Sequence, residues 1–189
     1  MQKPKLEREK LKDIILYVVS RVERPFDLGA VKLHKILWFT DLALMYRAGT
    51  TACGETFIKK PRGPWGSHVD KAIKALEKEG RLVEKPGSLA GFNQRQFFAL
   101  VEPDLTRLKA IEISLLEQII GTVCNSHTAS SISELTHDDL WERTPENGVM
   151  PADCVFDGLR APPSAEDWAW AQQPVDAETK AELDAWMAG

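Results

Sequence analysis

Three cysteines in 189 residues, no apolar run near membrane length and no glycine-rich phosphate loop are the first things this sequence lacks. Cys53, Cys124 and Cys154 are odd in number and widely spaced, which fits reduced thiols better than a disulfide framework. The longest apolar stretches, 14–19 and 36–39, stop well short of the roughly 20 residues that cross a bilayer, so no membrane span is expected. Lys3, Lys5, Arg8 and Lys10 are interleaved with Glu7 and Glu9 and lead into no continuous apolar segment. A secretory leader is therefore not expected, and the cytoplasm is the expected compartment. Gly63, Gly66 and Gly80 have the spacing of neither a phosphate loop nor a nucleophile elbow. Cys124, His127, His137 and Cys154 match no structural zinc pattern. Asp138, Asp139 and Glu142 beside Trp141 read as the solvated face of a short helix. With no convergent set of reactive groups, neither an enzyme nor a metal or cofactor is expected.

What is present is enough apolar material, 43% of residues, to bury one core. The charge is strongly polarised along the chain. Residues 1–110 carry 21 Lys and Arg against 13 Asp and Glu, whereas residues 111–189 carry 3 against 15. A basic front and an acidic back fit a nucleic-acid face with an acidic tail, or two halves that attract each other and a charged partner.

The apolar positions Leu11, Ile14, Ile15, Val18, Val19 and Val22 recur every three or four residues and predict a helix over 6–22. Pro25 blocks its continuation. Asp27 is placed to cap a second helix that runs to Gly49, a natural terminating glycine. That helix is apolar nearly all round, which predicts a central position in the core. Residues 50–62 look extended, and Pro61, Gly63, Pro64 and Gly66 then form a stiff knuckle. A third helix over 67–79 puts Val69, Ile73 and Leu76 on one face and Lys71, Lys74 and Lys78 on the other. Two strand-like runs, RLVEK and QRQFFAL, predict a hairpin after it, the order of a winged helix. A fourth helix is predicted over 105–123, and short helical turns over 130–135 and 138–142. Loop and an anchoring turn follow. The expected fold is thus mainly α (α+β): a compact helical domain over 1–160 with a small, winged-helix-like β-hairpin. An acidic appendage with a short helix is expected over 161–189.

The basic residues Lys59, Lys60, Arg62, Lys71, Lys74, Lys78, Arg81, Lys85 and Arg95 gather around the knuckle, third helix and hairpin. In a DNA-binding reading Lys71, Lys74 and Lys78 are the contact residues, with affinity that falls as salt rises. That helix carries no Arg, Asn or Gln to read bases, and lysines on an outer helix face are ordinarily just solvated. In the competing reading Pro64 and Gly63 pin Trp65 and its flanking cations for a protein partner, although a tryptophan at a tight turn can equally plug the core.

Three segments, taken in order, carry a family resemblance. VKLHKILWFTDLALMYRAG resembles a Lys-Leu-x-Lys-Leu-Leu-aromatic-aromatic signature followed by Asp. KKPRGPWGSHV resembles a Gly-Pro element after a basic extended segment, and SISELTHDDLWERT a late His and Trp segment. Over residues 27–157 the chain is similar to the Panacea (SocA-like) antitoxin domain family. The resemblance implies a cytoplasmic antitoxin of a bacterial or phage toxin-antitoxin system that neutralises a co-encoded toxin by direct binding; the DNA-binding regulator is the alternative. A protease is a further candidate partner, with Trp168, Trp170 and Trp186 of the appendage as candidate docking residues. The expected partner-binding residues are Lys60, Arg62, Trp65 and His68 around the knuckle, Trp38 and Asp41 beneath it, and His137 and Trp141 beside it. Trp65 stands where the family commonly has a smaller aliphatic residue, and 161–189 lies outside the resemblance; both are places to tune partner choice.

Overall fold

The chain is built around its least amphipathic helix. In a computed structural model describing residues 5–89 and 91–159, helix α2, Gly29–Ala48, is buried without a break from Val31 to Trp38. Helices α4, Ala110–Ser126, and α5, Ala129–Leu135, pack against it, as do strands from two small sheets. Gly49 ends α2 in the left-handed conformation, φ 64°, its N–H returning to the Met45 carbonyl, as a terminating glycine should. Helix α1, Arg8–Arg21, buries Leu11, Ile14, Ile15 and Val18 and packs against α3, Val69–Lys78, whose own buried face is Val69, Ala72, Ile73 and Leu76. A short helix α6, Asp139–Arg143, follows α5. The protein is mainly α with a small antiparallel β part.

Strands β3, Leu82–Leu89, and β4, Phe92–Ala99, form the hairpin expected after α3. A second sheet was not legible in the sequence. It consists of β1, Phe57–Lys60, β2, Gly63–Gly66, and the two-residue β5, Val149–Met150, in the order β2-β1-β5. The knuckle is therefore not a free bend. Only Pro61 and Arg62 turn the chain, and Gly63 to Gly66 return as a strand paired to β1.

Two helix starts also differ from expectation. Asp27 does not cap α2, because Pro25–Asp27 forms a 3-10 turn of its own and the Asp27 carboxylate accepts from Arg24 Nε at 2.6 Å. The segment 105–109 does not join α4, because Asp104 closes a 3-10 turn over Leu105–Arg107 by accepting from the Thr106 N–H. At the true start of α4 the Glu112 carboxylate accepts from the Lys109 N–H and from Lys10 Nζ, both at 2.8 Å. Asp13, fully buried on α1, accepts from Arg81 at 2.9 Å and from Arg107 at 2.6 Å. It thereby ties α1 to the start of β3 and to the 3-10 turn. The appendage expected at 161–189 lies outside the described residues, with Trp168, Trp170 and Trp186. The boundary at 160/161 likewise falls past the last described residue.

Candidate functional site

The β1–β2 hairpin is positioned by two polar side chains of α2. In an antiparallel pair, alternate residues of an edge strand point their N–H and C=O away from the partner strand. On β2 these are Pro64 and Gly66. Pro64 has no N–H to leave unpaired, and its carbonyl accepts from Lys35 Nζ at 3.0 Å; the Gly66 N–H donates to His34 Nδ1 at 2.9 Å. The edge of the sheet is thus closed by α2 instead of by another strand. Gly63, at φ 87°, makes the close approach possible: a Cβ there would stand 2.5 Å from Lys35 Nζ and would also meet Thr136 Oγ1.

Burial explains the electrostatics of these two side chains. Both are wholly inaccessible. Desolvation pushes the Lys35 amine down to about 7 and the His34 imidazole down to about 3. Because His34 Nδ1 accepts a hydrogen bond, the ring proton sits on Nε2, which is buried with no hydrogen-bond partner, 3.9 Å from Asp70 Oδ2. The Lys35 shift predicts a pH dependence with a definite sign. Between the folded value near 7 and the unfolded value of 10.5, the unfolded chain holds a proton that the folded chain has released, so stability rises with pH. From pH 7 to 9 the gain from this group is of order 2 kcal/mol. Urea unfolding at pH 7, 8 and 9 should show that rise in the wild type and a flattened profile in Lys35→Met; equal slopes would exclude Lys35 as its source.

Trp65 stacks on His34 with ring centroids 3.5 Å apart, and its Nε1–H donates to Asp70 Oδ2 at 3.0 Å. Asp70 also accepts from Arg95 at 2.6 Å, and Arg95 pairs through two further nitrogens with Glu84. Burial alone would raise the Asp70 carboxyl, but the Arg95 and Trp65 hydrogen bonds outweigh it and hold the group below the usual range. The indole is half-buried, neither sealed in the core nor free. On the other flank of the hairpin His137 stacks on Trp141 at 3.9 Å, Trp141 Nε1–H donates to the Lys60 carbonyl at 3.0 Å, and Lys59 Nζ lies 4.0 Å from the Trp141 ring centroid. Lys60 Nζ donates to Asn147 Oδ1, and Arg62 is exposed at the turn.

Five of the eight expected partner residues, Lys60, Arg62, Trp65, His137 and Trp141, therefore belong to the hairpin and its flank. His68 is half-exposed elsewhere, held by Glu55 at 3.0 Å and facing a surface depression beside Lys5, Arg8 and Arg107. Trp38 and Asp41 require correction as contact residues. They are 2% and 3% exposed, Trp38 packed edge-on against Phe57 and Asp41 accepting from the Ala52 N–H. Both side chains lie inside the core and offer almost no accessible surface for a contact. Burial also raises the Asp41 carboxyl to about 7. Lys71, Lys74 and Lys78 line the exposed face of α3. Folding withdraws two members from the wider basic cluster: Arg81 is spent on Asp13, and Arg95 on Asp70 and Glu84.

Sequence reasoning missed His34 and Lys35 as the residues that set the hairpin, and Asp70 and Arg95 as the partners of Trp65. One signal was available for the first pair: two adjacent polar residues inside a helix without a polar face must find partners in the interior. Among the described residues no three His, Cys, Asp or Glu side chains are placed to hold a metal ion, and no helix is long and apolar enough to cross a membrane.

Fold and site together define a class: a mainly α domain whose central helix locks a small antiparallel hairpin carrying tryptophan and cations that make no ion pair among the described residues. The family model for the antitoxin SocA-like, Panacea domain matches residues 33–142, more than half of the chain, and the protein belongs to that family. The match runs from the first turns of α2 through β1 to β4, α4 and α5 and ends within α6; β5 lies beyond it. Comparison with curated proteins and with solved structures returns no match.

Proposed function

We propose that this protein is the antitoxin of a bacterial or phage toxin-antitoxin system and neutralises a co-encoded toxin in the cytoplasm by binding it directly. Membership of the antitoxin family carries the reading, with a match covering the helix that builds the hairpin and the segments that flank it. The chemistry of the site supports it: tryptophan and arginine are the residue types that dominate association energies, and the half-buried Trp65 and Trp141 and the exposed Arg62 sit on one small framework. The reading needs no chemical step and no cofactor. Family members share a fold while their partners differ, so the toxin is to be found by its gene position.

Co-expression with the adjacent reading frame tests the proposal. The neighbour alone should arrest growth, and this protein should restore it while co-purifying with the neighbour. A harmless neighbour, or one equally toxic in the presence of this protein, would remove the basis of the reading.

The DNA-binding alternative rests on Lys71, Lys74 and Lys78, which are exposed on α3 just ahead of the β3–β4 hairpin. It requires binding to the protein's own promoter that weakens with salt and is lost when the three lysines become alanine. Delivery of the toxin to a protease would be an addition to the antitoxin reading, detected as faster toxin turnover in cells that contain this protein.

A further inference from the structure

The outer face of the β2-β1-β5 sheet is apolar where a solvated face should be polar. A small antiparallel sheet with one face on the core ordinarily alternates apolar inward and polar outward. Here the inner row obeys: Gly66, Phe57 and Met150 stand in register across the three strands and are buried. One residue along, the outer row is Trp65, Ile58 and Val149, also in register, with Trp65 and Ile58 half-buried and Val149 53% exposed. A single exposed valine is ordinary. Two β-branched residues side by side on the open face of one sheet, bordered by the accessible edge of an indole whose other side stacks on His34, are not.

The row is held firmly in place. The Asn147 N–H donates to the Lys59 carbonyl, the Lys59 N–H to the Gly148 carbonyl, and Lys60 Nζ to Asn147 Oδ1. Asn147 adopts a left-handed φ of 62°, and these bonds fix it and so place Val149 opposite Ile58. The rim of the row is cationic. Lys59, Lys60 and Arg62 at the hairpin end make no ion pair with a carboxylate among the described residues, whereas Lys10, Lys12, Arg81, Arg95 and Arg107 all do. Leu100, Val101 and Leu105 are also exposed, but the charges near them in the chain, Asp104 and Arg107, already pair with each other and call for no partner.

We infer that the Trp65, Ile58 and Val149 row, with Lys60 and Arg62 at its rim, is the surface that receives the toxin, and that the toxin element seated there is apolar along its centre and carries Asp or Glu at one end. The inference rests on the antitoxin reading and specifies where that reading acts. Apolar contact supplies the binding energy, while the cations set orientation and association rate.

The test uses the full-length chain and the purified product of the adjacent reading frame as the probe. Affinity is measured at 50 and 200 mM salt for wild type, Val149→Asp, the Lys60→Glu/Arg62→Glu pair, and Tyr46→Asp and Phe92→Asp as controls at exposed apolar sites elsewhere. Val149→Asp and the charge-reversed pair should each weaken binding at least tenfold, with thermal midpoints close to wild type. The charge-reversed pair should also lose the salt dependence, and both controls should stay within about twofold of wild type. If wild type binds and the sheet variants bind equally well, the surface assignment is overturned while the antitoxin reading stands. If wild type neither binds the neighbour nor rescues growth, both fall. Sheet variants that keep toxin affinity but lose binding to the protein's own promoter would overturn the inference in favour of a nucleic-acid surface.

Discussion

Replacing Trp38 with alanine should lower the unfolding free energy by about 4 kcal/mol, the range found when a buried large aromatic is truncated in a well-packed core. Trp38 is 2% exposed, and its ring meets the edge of Phe57 with centroids 5.1 Å apart, so the indole joins α2 to the underside of the hairpin. The cavity opens where α2 is buried without a break, in a close-packed interior that relaxes only in part. For a chain of this size the loss corresponds to a drop in thermal midpoint of roughly 8–16 °C. Thermal unfolding measures it directly. The variant also separates scaffold from surface: below its melting transition Trp38→Ala should hold the partner almost as wild type does, because no part of that side chain reaches the surface. A variant of wild-type stability that has lost its partner would show that the indole moves outward on binding.

The second large effect is expected at Asp13. Its carboxylate is inaccessible and accepts from Arg81 and Arg107, two guanidinium groups that reach it from different elements. Asp13→Ala removes the shared acceptor and leaves the two cations facing each other over a small cavity. Both guanidinium groups keep some access to water, so the penalty is set below that of a fully buried broken pair, at about 3 kcal/mol. Arg107→Ala removes the more exposed, solvent-screened arm only and should cost clearly less than Asp13→Ala. Denaturant unfolding of the two variants checks the order. Equal losses would mean that the node works through Arg107 alone, and no loss in Asp13→Ala would mean that the ties contribute nothing.

Periodicity located the helices well because each buries one face and the sequence must show it. Leu11, Ile14, Ile15 and Val18 announced α1, and Val69, Ile73 and Leu76 announced α3, with ends displaced by one or two residues. The hairpin of β3 and β4 was visible because turn residues separate two β-prone runs. The sheet made by β1, β2 and β5 was not. β5 is two residues long and pairs with a strand about ninety positions away, and no local pattern carries a contact of that range. Gly63 and Pro64 signalled a special backbone, but local turn chemistry placed the bend at the knuckle as a whole. The pairing of β1 with β2, whose far edge is closed by Lys35 and His34 of α2, confines it to Pro61 and Arg62. In the same way the basic residues formed one patch when counted along the chain. In space, Arg81 and Arg95 are withdrawn from it by Asp13, Asp70 and Glu84.

The sequence by itself determined that this is a mainly helical antitoxin-family domain with one central apolar helix and a Gly-Pro element flanked by aromatics and cations. Those properties follow from composition, period and ordered motifs, which are local. Only the tertiary structure decided which polar residues serve the scaffold and which remain available: it drew His34, Lys35, Asp41 and Trp38 inside and left Arg62, Trp65 and Val149 around one small sheet. The reason is that burial depends on what the rest of the chain places against a residue. A buried polar group must also find its partner, often from far along the sequence, before the fold can close.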